Sequence, residues 1–360
     1  MEALQKGDKM KNKYRNKGAA GTSRRAKRVA SVLLVCIMAF CMMFAMAGCG
    51  GEEDNGMTKI TFCLDWTPNT NHTGLYVAQA QGWYEEAGLE VEIVQPPENG
   101  AAHMCASGEA QFAIEAQDTM AASLALDEPL GITAVAAVIQ HNTSGIMSRA
   151  GDGIDTPAGL TGKTYSTWDS PIELAMLENV VEADGGDFDK VKLIPNDITD
   201  EPAALRANQT DAIWVFEGWS KVNAEVNNVA VDYFAFSDID PTFDYYTPVI
   251  IANNDFLAED PETAKAFLEA TARGYEFAAE NPEEAADMLI AGDNTGSLAE
   301  AEELVKASQK FLSPLYIDDA EKWGVIDQTR WNDFYKWLYD NGLCKKDLTG
   351  IGFSNDYLAE

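Results

Sequence analysis

The chain has 360 residues, 46% of them hydrophobic and 23% charged, enough for two domains of roughly 100 to 200 residues each and too apolar for a disordered chain. The net charge of −32 is unevenly spread: residues 1–28 hold ten Lys/Arg against two Asp/Glu, and the remainder holds 16 against 56. A body that acidic repels nucleic-acid phosphates and an anionic membrane surface, so any membrane attachment has to come from something other than charge.

The front of the chain supplies that attachment. The basic stretch from Lys6 to Arg28 is followed by an apolar or small run, Val29 to Ala47, ending in Met46-Ala47-Gly48-Cys49. This is the layout of a secretory signal, although a run of about 19 residues is also long enough to cross a bilayer as a retained helix. Small residues before Cys49, glycines after it and the polar stretch Glu52 to Gly56 favour cleavage. The Ala-Gly-Cys ending resembles the bacterial lipobox, with Met46 where Leu is usual. That resemblance implies a signal peptide over 1–48, acylation of Cys49, a tether over 49–57 and a lipid-anchored protein on the extracytoplasmic face of the cell membrane. Cys63, Cys105 and Cys344 then remain, too scattered for a disulfide framework or a metal motif, and no metal or cofactor is expected.

From Lys59 the pattern alternates strand and helix. Strands are predicted at 59–64, 89–94, 111–114 and 132–139, with helices at 75–87, 100–107 and 118–126 between them. A second series follows: strands at 146–149, 164–167, 191–194 and 212–216, and helices at 171–183, 201–208 and 219–226. Pro171 stands near a helix start, where its missing N–H costs nothing. Val249 to Ala252 reads as a strand returning to the first sheet, after which helices are predicted at 261–280, 282–289, 298–311 and 328–339. This rhythm predicts an α/β fold of two domains: domain I from 58–142 and 246–345, domain II from 143–245, and a C-terminal tail over 346–360. Two crossings between the domains imply a two-stranded hinge with a ligand cleft between them.

The strand ends share a composition. The first strand runs into Asp65-Trp66-Thr67-Pro68-Asn69-Thr70-Asn71-His72, others into Gln140-His141-Asn142-Thr143-Ser144, Trp168-Asp169-Ser170 and Glu217-Gly218-Trp219, and Tyr245-Tyr246-Thr247 precedes the returning strand. In open α/β sheets ligands bind beyond the carboxyl ends of strands, so these loops are predicted to face one cleft. An aromatic, amide-rich cleft with carboxylates and little Lys/Arg suits a flat, nitrogen-rich, neutral or cationic ligand and suits nitrate, phosphate or sulfonate poorly. Each aromatic taken alone reads as core. No nucleophile motif, phosphate loop or carboxylate dyad stands out, so no catalytic residues are predicted.

Thr61 to His72 with Leu75-Tyr76-Val77-Ala78, together with His141 to Gly145, Gly159 to Lys163, Ile213 to Trp219 and Tyr245 to Val249, resembles the type II solute-binding proteins of ABC importers. The similarity is to the family of thiamin-pyrimidine-precursor and aliphatic sulfonate-like binding proteins, and within it to the formylaminopyrimidine-binding lipoproteins. The resemblance implies a type II periplasmic-binding-protein fold and a monomeric, non-enzymatic carrier. It also implies a small aminopyrimidine ligand and a permease with its ATPase as partners. It implies stacking on Trp66 and on Trp168 or Trp214, a carboxylate at Glu217, and contacts from Asn69, Asn142 and Tyr246. Glu173 is a second carboxylate candidate, with a surface charge as its alternative. His72, Tyr76 and Ser144, which stand in the matching segments, complete the candidate set. Two rivals share the fold: a riboflavin or other aromatic-amine binder, and a pyrimidine synthase. The fungal synthases share the Trp66, Pro68 and His72 pattern but carry a cysteine-rich iron motif for which nothing here stands in.

Overall fold

The computed structural model describes residues 56–196 and 198–359. The signal segment, Cys49 and most of the expected tether lie outside the described residues.

Among the described residues, ten strands form two five-stranded sheets. The first contains β1 (Thr58–Cys63), β2 (Leu89–Val94), β3 (Phe112–Glu115), β4 (Ile132–Ala137) and β10 (Val249–Asn253) in the order β2-β1-β3-β10-β4. The second contains β5 (Ser144–Arg149), β6 (Thr164–Thr167), β7 (Lys192–Pro195), β8 (Ala212–Phe216) and β9 (Val231–Ala235) in the order β7-β6-β8-β5-β9. The sheets are built alike. In each, four strands share one direction, and the strand the chain forms on arriving from the other sheet slots in antiparallel between two of them: β10 between β3 and β4, β5 between β8 and β9. Registers are regular, with Thr58 opposite Leu89 and Cys63 opposite Val94, except for one irregularity between Ile250 and Ile251.

Helices cover the sheets because their apolar residues recur every three or four positions. The Pro261–Glu280 helix buries Ala264, Phe267, Leu268, Thr271, Tyr275 and Ala278 against the first sheet. Phe267 stacks on Phe112 at 4.2 Å between centroids and on Tyr84 at 5.4 Å, and this aromatic column is the centre of that core. In the second sheet the Pro171–Ala183 helix buries Met176, Leu177, Val180 and Val181. Cys63, Cys105 and Cys344 are unpaired and buried, and burial pushes the Cys63 thiol up to about 11, which keeps it protonated and inert.

Four local expectations change. The helix read over 75–87 is two, Thr73–Ala80 and Trp83–Glu86, parted where Gly82 takes φ 72°. The helix read from Trp219 begins as a π-helical turn, Glu217–Lys221, before Val222–Val226. Strand β9 was not expected, because its five residues, four of them partly exposed, carry little alternation beside an Asn227-Asn228 turn. The segment expected as a tail lies along β4, with Ala134 N–H donating to the Gly352 carbonyl and Ser354 N–H to the Ala134 carbonyl.

The chain passes from the first sheet to the second through residues 138–143 and returns through 236–248. The passages run side by side. Asn142 N–H donates to Asp244 Oδ1 at 2.8 Å, and His141 Nδ1 lies 2.7 Å from Asp244 Oδ2, a contact that raises the histidine's proton affinity.

Candidate functional site

The loop after β1 is shaped by its own side chains. Asn69 caps the short turn Thr70–His72, its Oδ1 accepting from Asn71 N–H at 2.9 Å. His72 is fully buried, and its Nδ1 accepts from Asn69 N–H at 3.2 Å. The ring proton therefore belongs on Nε2, which donates to Asp65 Oδ1 at 2.8 Å and aims that carboxylate. Behind the loop, Tyr316 Oη donates to the Thr70 carbonyl and Tyr275 Oη to the Asn71 carbonyl. Thr70 Oγ1 sits 2.6 Å from Ser308 Oγ on the Glu302–Leu312 helix, and Ser308 in turn donates to the carbonyl of Gly218 in the π-helical turn. One buried hydroxyl thus touches a wall loop of each sheet.

Those loops enclose a cavity of about 400 Å³. From the first sheet come Asp65, Trp66, Thr67, Asn69 and Asn71 after β1, Ala116 after β3, and Thr247 and Pro248 before β10. From the second come Trp168 after β6, then Ile198, Thr199 and Glu201, and Trp214, Val215, Phe216, Trp219 and Ser220 at the end of β8. Trp66 and Trp168 are each 52% exposed, which leaves large ring faces open to the cavity. Trp214 is only 4% exposed, packs on Phe236 at 4.1 Å between centroids and is inclined to Trp168 at 5.9 Å. Its Nε1–H has no hydrogen-bond partner among the described residues.

No Lys, Arg or His side chain is among the lining residues, whereas two carboxyls are, Asp65 and Glu201. Burial raises the Glu201 carboxyl above the usual glutamate range, offset in part by its own backbone N–H and by the Ser220 hydroxyl. The helix Glu201–Arg206 that carries it is capped by Asp200, which accepts from Ala203 N–H at 3.0 Å.

Of the residues expected at the site, Trp66, Asn69, Trp168 and Trp214 line this cavity, and the others lie behind or beside it. His72 is the buried prop of Asp65. Tyr76 belongs to a satellite core with Ala286 and Leu289, where burial lifts its phenol to about 12. Asn142 donates to the Phe243 carbonyl at 2.8 Å and accepts from Ser144 N–H at 2.8 Å, so both serve the crossing. Glu173 is neither a surface charge nor a wall. It is buried, accepting from Tyr165 Oη at 2.7 Å, Thr167 Oγ1 at 2.9 Å and Trp168 N–H at 3.1 Å, and so fixes the loop that presents Trp168. Glu217 is ion-paired with Lys221 at 2.9 Å, outside the lining. Tyr246 is buried beneath the Arg330 guanidinium and accepts from Asp327 N–H at 2.8 Å. Asp65, Glu201, Trp219 and Ser220 were not among the expected ligand residues. Trp219 and Ser220 reach the cavity because the π-helical turn shifts the side-chain phase there, a change with no sequence signature.

Residues 69–285 match the model of the family described as NMT1/THI5 like, more than half of the chain. The chain belongs to the NMT1/THI5-like family. Among relatives, it is 29% identical over 303 residues to a formylaminopyrimidine-binding protein of Halalkalibacterium halodurans, covering 80% of this chain and 88% of that one. It is 23% identical over 256 residues to a 4-amino-5-hydroxymethyl-2-methylpyrimidine phosphate synthase of Saccharomyces cerevisiae, covering 62% and 68%. Among solved structures, the periplasmic nitrate-binding protein of Synechocystis superposes with a TM-score of 0.63 at 16% identity, over 84% of this chain and 87% of that one. This NMT1/THI5-like chain therefore has the type II periplasmic-binding-protein fold. Among its described residues no helix is long and apolar enough to cross a membrane, and no group of His, Cys, Asp and Glu side chains is arranged to hold a metal ion.

Proposed function

We propose that this protein is the extracytoplasmic binding component of an ABC importer, a carrier without chemistry that captures a thiamin-type aminopyrimidine and hands it to a permease and its ATPase. The observation that carries the reading is the cavity itself: tryptophan faces from both sheets, two carboxyls and no basic side chain. A flat heterocycle with N–H donors is stacked and hydrogen-bonded there, whereas an anion meets only negative charge. The nitrate-binding neighbour shares the fold and says nothing of cargo, while the relationship to a formylaminopyrimidine-binding protein agrees with the wall chemistry. Residues 58–142 with 246–345, and 143–245, act as two lobes that close about the paired crossings, with Cys49 as the lipid anchor.

The test is calorimetry of the purified protein with formylaminopyrimidine, 4-amino-5-hydroxymethyl-2-methylpyrimidine, riboflavin, an alkanesulfonate and nitrate, followed by recovery of each compound by mass spectrometry. The reading expects one or both pyrimidines to bind and return unchanged. Binding confined to the anions, or a pyrimidine product formed over more than one turnover, would overturn it. For the anchor, Cys49→Ala is expected to release the protein from membranes or leave its precursor uncleaved, and a processed, membrane-bound variant would refute the lipid attachment.

A further inference from the structure

Three carboxyls stand at or near the cleft, and the structure distinguishes them. Glu217 is neutralised by Lys221 at 2.9 Å and lies outside the wall. Asp65 lines the cavity, but one of its oxygens is filled by the buried His72 Nε2–H at 2.8 Å. Glu201 lines the cavity and, among the described residues, carries no ion pair; its own backbone N–H and the Ser220 hydroxyl favour its charged form. A carboxylate offers about four acceptor sites, so acceptor capacity on Glu201 is left over in a wall that has no Lys, Arg or His side chain. Glu201 is partly exposed, so this acceptor capacity is open to a ligand, and one that supplies N–H groups makes charge-assisted hydrogen bonds with it.

We infer that Glu201 is the specificity-determining residue of the cavity, accepting from the exocyclic amine of a flat heterocycle and thereby selecting amino-substituted over oxo-substituted rings. The inference rests on the binding reading above and narrows its ligand class. Replacing the amine by a carbonyl oxygen sets a lone pair against the Glu201 oxygens, and a site built around a hydrogen bond rejects the analogue that cannot make it. Stacking on Trp66 and Trp168 is indifferent to that exchange, since both rings present the same flat face.

The experiment compares 4-amino-5-hydroxymethyl-2-methylpyrimidine with its 4-oxo counterpart by calorimetry on the wild type, Glu201→Gln and Glu217→Gln. The wild type is expected to prefer the amino probe by about 100-fold or more. Glu201→Gln, whose amide can donate as well as accept, is expected to reduce that ratio below about tenfold, with part of the change a gain in affinity for the oxo probe. Glu217→Gln is expected to keep the wild-type ratio. A merely structural role for Glu201 would weaken both probes alike and leave the ratio intact, and that result overturns the inference while sparing the binding reading. Collapse of the ratio in Glu217→Gln alone overturns it as well. If the wild type binds neither probe, the aminopyrimidine reading and the inference fall together.

Discussion

A methyl group at position 218 tests whether the cavity closes by bringing two bodies together. A Cβ built on Gly218 would lie 2.9 Å from Leu312 Cδ2, 3.0 Å from Leu312 Cγ and 3.2 Å from Phe311 Cδ1, all on the helix that also carries Ser308. Leu312 is itself buried in the first-sheet core and has no free space to retreat into. Overpacking of this kind costs roughly 1 to 3 kcal/mol. Position 218 belongs to the second sheet's side of the cleft and Leu312 to the first, so in a closing protein the clash exists in the closed form and vanishes in the open one. The whole cost then appears in ligand affinity, as about a 5- to 150-fold loss, because 1.4 kcal/mol is a tenfold change. Calorimetry with the pyrimidine probe, thermal melting of the unliganded protein and small-angle scattering with and without ligand measure the three consequences: weaker binding, an unchanged melting temperature and reduced compaction. A Gly218→Ala protein that melts several degrees lower without ligand, yet binds within twofold of wild type, would refute the reasoning. The contact would then be static core.

Trp66→Ala and Trp168→Ala are each expected to weaken binding by roughly 1 to 3 kcal/mol of lost stacking, with little change in unliganded melting because both rings are half exposed; calorimetry and a melting curve check the two halves of that statement. Glu173→Gln turns an amide N–H₂ toward groups that already donate, Tyr165 Oη, Thr167 Oγ1 and Trp168 N–H, so urea unfolding should show a loss of about 1 to 3 kcal/mol, and the loosened Trp168 loop should weaken binding too. Burial raises the Asp118 carboxyl to about 6, so the folded state holds this proton more tightly than the unfolded chain; its contribution to stability is present below the ordinary aspartate range and is lost as pH rises through about 6. Asp118→Asn should therefore match the wild type at low pH and exceed it in urea midpoint at pH 8, and equal midpoints at pH 8 would contradict the assignment.

The architecture was legible because the signals were local. Strands β2, β6 and β8 and the Pro171–Ala183 helix coincide with the residues read from periodicity, since each is bounded by a glycine, proline or polar cap that the sequence displays. Trp66 and Trp168, each of which alone reads as core, stood out because several aromatics coincide at the polar ends of strands. Glu201 did not. After Asp200 and before Pro202 it reads as the ordinary acidic first turn of a helix, and only the docking of that helix beside Ser220 makes it a wall. Glu173 misled for the converse reason, since a helix-start glutamate shows nothing of the Tyr165 and Thr167 hydroxyls that the preceding strand brings beneath it.

The chain has eight tryptophans, and Trp66, Trp168, Trp214 and Trp219 border one cavity. The other four, Trp83, Trp323, Trp331 and Trp337, lie elsewhere, with Trp323 and Trp331 buried in the two main cores. Half of the indoles therefore stand in the cavity wall and half elsewhere. Excluding water from Trp66 and Trp168 shifts their emission to the blue while the remainder supplies an internal standard. On the proposed binding reading, a fluorimeter alone then follows occupancy of the cavity, without any label.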